Sequence, residues 1–316
     1  MDRRKIQLIA GTTYSITLPK DWVRKNNLRE KMEVLVQERG DRNLLISSAP
    51  RSETNPKEMS LDVDKHGDVI EQMLFGLYYL GVETITLNSK TEISKEVRGR
   101  IRRTLNYMSG TEINYEDRKK ISVRVLLDCS KVSITQTLYR ITLLIDLSLA
   151  SLIDHVELEE IDVNEDEVDR LYHLMMKVAS VSLIDSAMLR SSGIGQSILI
   201  PSYVLVSKKL ENISDDVLEL ARRIGEGKPV PQEQAVVLSQ AKAMMSRIAK
   251  AVTAGFPDIY DKTSREEVRK MTDRLGKVVD VRAVFHLENL VRYIVDIEDE
   301  LVNISSYSQL AKDGLL

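Results

Sequence analysis

Carboxylates recur four residues apart at two places in the second half of this 316-residue chain. Glu211 pairs with Asp215, and Glu165 pairs with Asp169, with Asp166 beside it. On a helix such pairs share one face, where like charges repel by about 0.3 kcal/mol. If the two helices pack together, the carboxylates converge, and an oxygen-preferring cation such as Mg²⁺, Mn²⁺, Ca²⁺ or iron would remove the repulsion. The alternative is a solvated helix face near an N-terminus, where acidic residues also favour the helix dipole.

The first 48 residues carry the opposite charge. They hold 10 Lys and Arg against 6 Asp and Glu, a net charge of +4 in a chain whose total is −3. A DNA duplex presents one charge per about 1.7 Å of its axis, so many modest cationic contacts give strong, salt-sensitive binding. The alternative is the solvated surface of a small dimerisation module. The charge alone leaves these two alternatives open.

Three segments have to position these residues. In residues 1–48, the pattern predicts two strands, a short helix after Pro19 and two further strands joined through Gly40-Asp41. Four short strands cannot bury a core alone, so this pattern favours a dimer with interleaved strands. The stretch 48–56, with two prolines, predicts a linker, and residues 57–128, where strands alternate with helices, predict a small α/β domain.

Residues 129–316 are almost entirely helical by their apolar spacing. The third and sixth predicted helices align with a constant offset of 84, which lays Asp215 on Asp299. We interpret this as an internal repeat of two three-helix bundles, residues 129–225 and 232–313. The predicted fold class is therefore mainly α, and α+β overall. The six predicted helices are residues 130–156, 164–190, 201–225, 232–253, 262–281 and 284–312.

The amino-terminal pattern resembles the swapped-hairpin SpoVT/AbrB family of DNA-binding domains. The matching features are the Gly-Thr-Thr-Tyr turn at 11–14, the strand ending in Leu-Pro-Lys at 18–20, the helix through Trp22 and the entry to the third strand at 28–34. Many members have Gly-Asp where this chain has Lys-Met-Glu at 31–33. The resemblance implies an obligate dimer that binds DNA through basic residues near the strand ends and the helix. On these positions we predict DNA contacts at Arg4, Lys5, Lys20, Arg24 and Lys25.

The helical segment resembles the PhoU family, which has two repeated three-helix bundles and an E/D-x-x-x-D motif on its helices. The motif stands here at 165–169 and 211–215, whereas Arg269 and Val295 interrupt it in the second repeat. The combined order of segments resembles archaeal PhoU-type phosphate uptake regulators over nearly the full chain. The resemblance implies a multinuclear metal cluster, of iron or a divalent ion, in the first bundle. Its ligands would come from Glu165, Asp166, Asp169, Glu211 and Asp215.

Other features limit the range of functions. No glycine-rich phosphate loop, nucleophile elbow or Cys/His pair occurs, so we predict no enzyme. The single cysteine excludes an internal disulfide, and no uncharged apolar run reaches about 20 residues, so we predict a cytoplasmic protein without membrane insertion. A third basic cluster at 95–103 could meet DNA or phosphate, although its alternation with Glu92 and Glu96 favours a solvated face.

These patterns lead to one main functional hypothesis. The chain is predicted to be a homodimeric or larger DNA-binding regulator of phosphate uptake that senses through its helical segment. One alternative is an adaptor that docks on a phosphate-transporter ATPase or a kinase, with the amino-terminal domain serving only in dimerisation. Another is metal storage or metal-dependent catalysis by the acidic helices.

Overall fold

The computed structural model describes residues 3–38, 43–48, 58–256 and 260–313. The chain divides into two compact units, Met1–Thr54 and Asn55–Leu316. The predicted fold class is confirmed, since small β elements come first, a small sheet follows and the remainder is helical. The predicted linker after Ser48 and the predicted turn at Gly40-Asp41 lie outside the described residues.

The first unit contains two separate antiparallel hairpins with a short helix between them. In the first hairpin, Ala10 and Gly11 adopt positive φ angles of 51° and 74°, which turns the chain within three residues. The helix begins after Pro19 and ends at Asn26, whose side-chain amide donates a hydrogen bond of 2.8 Å to the carbonyl of Trp22. The elements are β1 (Gln7–Ile9), β2 (Thr13–Ser15), α1 (Lys20–Lys25), β3 (Leu35–Glu38) and β4 (Leu44–Ser47).

Among its described residues, the first unit has no buried side chain. Several apolar side chains on its strands are more than half exposed, for example Leu8 at 54%, Tyr14 at 74% and Leu44 at 66%. A two-stranded hairpin is marginal in water unless another layer covers its apolar face. One copy of this unit therefore presents apolar surface that a further layer is needed to cover.

A four-stranded sheet opens the second unit. Its strand order is β5-β6-β8-β7, with β5 parallel to β6 and the remaining pairs antiparallel. Helices cover one face, and Ile70, Leu74, Ile85 and Ile101 are fully buried between the helices and the sheet. The elements are β5 (Glu58–Asp62), α2 (Val63–His66), α3 (Ile70–Tyr79), β6 (Thr84–Asn88), α4 (Lys95–Asn106), β7 (Thr111–Glu116) and β8 (Lys120–Val125).

The remainder of the second unit is helical, and its helices share one continuous hydrophobic core. The aligned apolar positions Leu210 and Ile294 are both fully buried in this core, whereas the aligned acidic residues Asp215 and Asp299 are exposed. Within the first bundle α5, α6 and α8 pack together, and α8 with α11 and α5 with α9 join that bundle to the second. The helices are α5 (Ile134–Asp154), α6 (Leu158–Ile184), α7 (Ser186–Ser191), α8 (Ile200–Ile224), α9 (Gln232–Thr253), α10 (Arg265–Leu275) and α11 (Val281–Lys312).

Two predicted helices have different bounds in the structure. The predicted helix 164–190 begins earlier, at Leu158, and is interrupted at Asp185. The Asp185 carboxylate accepts hydrogen bonds from the backbone N–H groups of Ala187 and Met188 and so begins α7. The predicted helix 262–281 is shorter, because Ser264 and Glu267 form a capping box at its start and the chain leaves the helix at Gly276.

One helix in the described part of the chain, α5, is long and apolar enough to cross a bilayer by length and composition. Ile141, Ile145 and Leu149 on this helix are fully buried in the hydrophobic core. Core helices of soluble proteins meet the same criterion, so it is weak evidence for a membrane span.

Candidate functional site

The structure brings three of the predicted ligands together. Helices α6 and α8 run antiparallel, and their facing turns carry Glu165 and Asp169 on α6 and Asp215 on α8. One carboxylate oxygen from each residue lies within 4.8 Å of the other two. We call these three residues the carboxylate cluster. Their oxygen donors suit a hard cation such as Mg²⁺, Ca²⁺ or Mn²⁺.

Burial and mutual repulsion disfavour the charged forms of Glu165 and Asp169, and Asp215 completes the cluster from an exposed position. Burial, followed by the charges of Asp169 and Asp215, raises the pKa of Glu165 to about 8. Burial, followed by the charges of Glu211 and Asp215, raises the pKa of Asp169 to about 7. The buried Oδ1 of Asp169 has no hydrogen-bond partner. The cluster therefore gains from a positive charge, supplied either by protons or by a cation.

The two other predicted ligands have partners of their own. Glu211 receives hydrogen bonds from the ammonium group of Lys208, with distances of 2.6 Å to Oε1 and 2.5 Å to Oε2. The carboxylate of Asp166 points to the end of α4, where the hydroxyl of Tyr107 donates a hydrogen bond of 2.7 Å to it. Lys208 was missed by the sequence reasoning, although its spacing of three residues before Glu211 was a signal for an ion pair.

An aromatic group borders the cluster on α6. His173 stacks on Phe75, with ring centroids 3.8 Å apart, and its Nδ1 is 2.5 Å from the hydroxyl of Tyr79. Burial lowers the pKa of His173 to about 4, so the ring is neutral at physiological pH. The His173 ring is thus committed to the contact between α3 and α6.

The acidic residues of the second repeat are dispersed. Asp299, the counterpart of Asp215, forms an ion pair with Lys262. Glu267 caps α10, and Arg269 stands 3.8 Å from Asp273. Over the described ranges, no second group of three close carboxylate, histidine or cysteine ligands occurs.

The predicted DNA contacts are all exposed in the first unit. Lys20, Arg24 and Lys25 lie on α1, and Arg4 and Lys5 lie just before β1. The third basic cluster is different, because three of its arginines are engaged within the second unit. Arg98 and Arg102 both pair with Glu116 on β7, at 2.6 and 2.9 Å, and Arg100 pairs with Glu71 on α3. These pairs join α4 to its neighbours, in contrast to the predicted solvated face.

The turn before β3 has a strained residue that offers a stability test. Lys31 has φ +69°, in the left-handed region where a side chain costs about 1 kcal/mol and glycine does not. We expect Lys31→Gly to raise the free energy of unfolding of the first unit by about 1 kcal/mol. Denaturation followed by Trp22 fluorescence measures this, since the chain has one tryptophan. Lys25→Gly, inside α1, is expected to lower the same quantity, and equal effects would contradict the assignment of strain.

The comparisons with known proteins concern the amino-terminal segment. The family model for antidote-toxin recognition MazE, a bacterial antitoxin, matches residues 7–54. The match covers both hairpins and α1, in agreement with the AbrB-like pattern of the sequence. No curated relative and no solved structure matches the chain. Residues 7–54 thus form a MazE/AbrB-like domain.

Proposed function

We propose that this protein is a dimeric, DNA-binding transcriptional regulator of phosphate uptake. The observation that carries the DNA-binding part is the MazE/AbrB-like domain at residues 7–54, which bears exposed lysines and arginines on and around α1. Exposed cations of this kind can contact the phosphates of a duplex and so position the protein on it. Their removal would weaken binding to all sequences alike.

Dimerisation would complete the amino-terminal unit. Its two hairpins stay unburied in one copy, and their apolar side chains, such as Leu8 and Leu44, are exposed. Interleaving these strands with those of a second chain would remove that apolar surface from water, at about 25 cal/mol for each Å². The same arrangement would double the number of cations on one face, which strengthens contact with DNA.

The sensing part of the proposal rests on the helical region. Two helix triplets with an internal repeat, and acidic motifs at 165–169 and 211–215, support a PhoU-like role in phosphate control. Glu165, Asp169 and Asp215 would hold a divalent or iron centre, and the unpartnered Oδ1 of Asp169 fits such an ion. A bound cation would offset the repulsion among the three carboxylates and tie α6 to α8.

DNA binding by the intact protein tests the first part directly. We expect fluorescence anisotropy with duplex DNA from upstream of phosphate-transport genes to detect binding that weakens as salt rises. Lys20→Ala/Arg24→Ala should reduce affinity at least tenfold and lower the salt slope by about 0.9 for each lost phosphate contact. The charge-matched control Lys119→Ala/Lys120→Ala, in the β7–β8 turn of the second unit, should bind as the parent does. Unchanged affinity in the first double variant would contradict the proposed DNA interface.

The same preparation distinguishes the adaptor hypothesis. If DNA binding stays at background while a purified phosphate-transporter ATPase binds the protein, the result supports the adaptor hypothesis and contradicts the regulator hypothesis. The matched family is described as antitoxins that recognise a toxin, so a third outcome is binding of the amino-terminal domain to a protein partner. Dimer formation alone is expected in all three cases and does not discriminate among them.

A further inference from the structure

The second unit has an open cleft that the proposed function does not use. It lies between α4 of the sheet layer and helices α5 and α6, and its volume is about 530 Å³. This size exceeds what a single inorganic ion fills and suits a small organic molecule. The residues that matter for its chemistry are Arg103 on α4, Tyr107 directly after α4, Arg140 and Leu144 on α5, and Val163, Glu167 and Arg170 on α6.

The cleft has an unbalanced positive charge. Arg140 and Arg170 both contact Glu167, each with a guanidinium nitrogen 2.6 Å from Oε1 of that residue. Two cations thus share one carboxylate. The third arginine, Arg103, forms no ion pair with any residue that the structure describes, and Tyr107 donates a hydrogen bond to Asp166 without neutralising its charge. Three guanidinium groups therefore meet the two carboxylates of Asp166 and Glu167, and an anion placed among these arginines would find one positive charge uncompensated.

Part of the wall of the cleft is apolar. Leu144 lies one helical turn after Arg140 on α5, and Val163, which is 61% exposed, lies one turn before Glu167 on α6. The ring of Tyr107 is fixed beside them, because its hydroxyl is hydrogen-bonded to Asp166. An apolar wall next to an arginine cluster matches a ligand with a flat or apolar body and an anionic group at one end.

We propose that this cleft binds a small organic phosphate monoester, with the phosphate group among Arg103, Arg140 and Arg170 and the organic body against Leu144 and Val163. A dianionic phosphate would draw Arg140 away from the shared Glu167, which Arg170 would retain. The phosphate geometry suits paired guanidinium donors. Nucleotides and sugar phosphates share this chemistry, and they differ in the aromatic body that the apolar wall would select.

The position of the cleft couples two layers of the second unit. Arg103 belongs to the sheet layer and Arg140 to the helical layer, so a bound phosphate would bridge α4 and α5. Tyr107 and Asp166 connect the cleft wall to α6, where the carboxylate cluster begins at Glu165. Occupation of the cleft would therefore stiffen the contact between the layers. All these residues lie within 55–316, so the inference does not depend on DNA binding.

Isothermal titration calorimetry on the full chain tests the proposal with four probes: AMP, ribose 5-phosphate, inorganic phosphate and adenosine. We expect AMP to bind most tightly, ribose 5-phosphate and inorganic phosphate more weakly, and adenosine not measurably. Arg103→Ala and Arg140→Ala should each weaken AMP at least about tenfold, the effect of one lost charge-assisted contact. Both side chains are exposed, so the variants should fold. The control is Arg190→Ala, an exposed arginine on α7 outside the cleft.

Each outcome decides a separate part of the inference. Absence of binding by both organic phosphates overturns the proposal, as does AMP affinity that is unchanged in the two arginine variants. Equal affinity for AMP and inorganic phosphate overturns the role of the apolar wall. If ribose 5-phosphate matches AMP, the site is a sugar-phosphate site without aromatic selection. The DNA anisotropy assay on the same protein reports separately on the proposed function.

Discussion

Replacing Asp169 by asparagine is expected to make the metal-free protein more stable at pH 8 and to abolish its stabilisation by divalent cations. The physical reason is the repulsion within the carboxylate cluster, where burial and neighbouring charges raise the pKa of Asp169 to about 7. Removing this charge should raise the free energy of unfolding at pH 8 by roughly 2 kcal/mol, a figure reduced for solvent screening. Thermal unfolding with and without Mn²⁺ measures both effects.

The pH dependence of the parent protein has a definite sign. A carboxyl group with a raised pKa keeps its proton in the folded state at pH values where the unfolded chain has released it. The folded state then binds more protons between about pH 4 and pH 8, so stability falls as pH rises through that window. Asp169→Asn should flatten this fall. A cation competes with those protons, so its stabilising effect should grow over the same range.

Asp166→Asn is the matched control for this prediction. Asp166 lies on the same helix, but its carboxylate faces Tyr107 and not the cluster. Its replacement should leave the response to Mn²⁺ within about twofold of the parent, because the asparagine oxygen can still accept the hydrogen bond from Tyr107. If the Asp166→Asn variant loses the response to Mn²⁺, Asp166 is a metal ligand after all. If the melting temperature of the parent protein does not change with Mn²⁺, Mg²⁺ or iron(II), the proposed metal site is contradicted.

Glu298→Ala is expected to cost about 3–5 kcal/mol of unfolding free energy, because it breaks a buried charged network. The side chain of Glu298 on α11 is fully buried. It accepts hydrogen bonds from the backbone N–H of Thr263 at 3.0 Å, the hydroxyl of Thr263 at 2.8 Å and the hydroxyl of Tyr260 at 3.1 Å. Arg247 on α9 stands 3.6 Å away. Truncation would leave these donors buried without an acceptor.

The neighbouring acid is the matched control. Asp299 pairs with Lys262 at the surface, where the two side chains are 56% and 37% exposed, so Asp299→Ala should cost less than about 1 kcal/mol. Both substitutions introduce alanine into the same turn of the same helix, which cancels the helix-propensity gain. Chemical denaturation followed by circular dichroism measures the two variants. A cost for Glu298→Ala no larger than that for Asp299→Ala would show that solvent or other groups replace its hydrogen bonds.

Much of the helical architecture could be predicted from one-dimensional spacing. Apolar residues three and four apart placed Leu210 and Ile294 on equivalent faces, and both are buried. The helix ends were less predictable, because they depend on side-chain caps such as Asp185, which interrupts the second predicted helix. A side-chain cap stabilises a helix end by only about 1 kcal/mol. Contacts with neighbouring elements therefore decide whether a helix ends at a capping residue or continues past it.

The carboxylate cluster was only partly predictable. Spacing put Glu165 and Asp169 on one face, and it could not distinguish these from Asp166 or Glu211. That distinction depends on what each carboxylate faces. Tyr107 comes from the end of α4, 59 residues earlier in the chain, and no sequence pattern relates it to Asp166.

The sequence by itself determined the charge asymmetry, the AbrB-like amino-terminal pattern, the fold class and the helix faces, because these follow from residue type and local period. The tertiary structure alone decided which charges meet. Arg140 and Arg170 both form ion pairs with Glu167, and Lys208 forms one with Glu211. The buried Oδ1 of Asp169 has no hydrogen-bond partner. Electrostatic interactions fall off with distance and depend on burial, and both quantities exist only once α4, α5, α6 and α8 have packed.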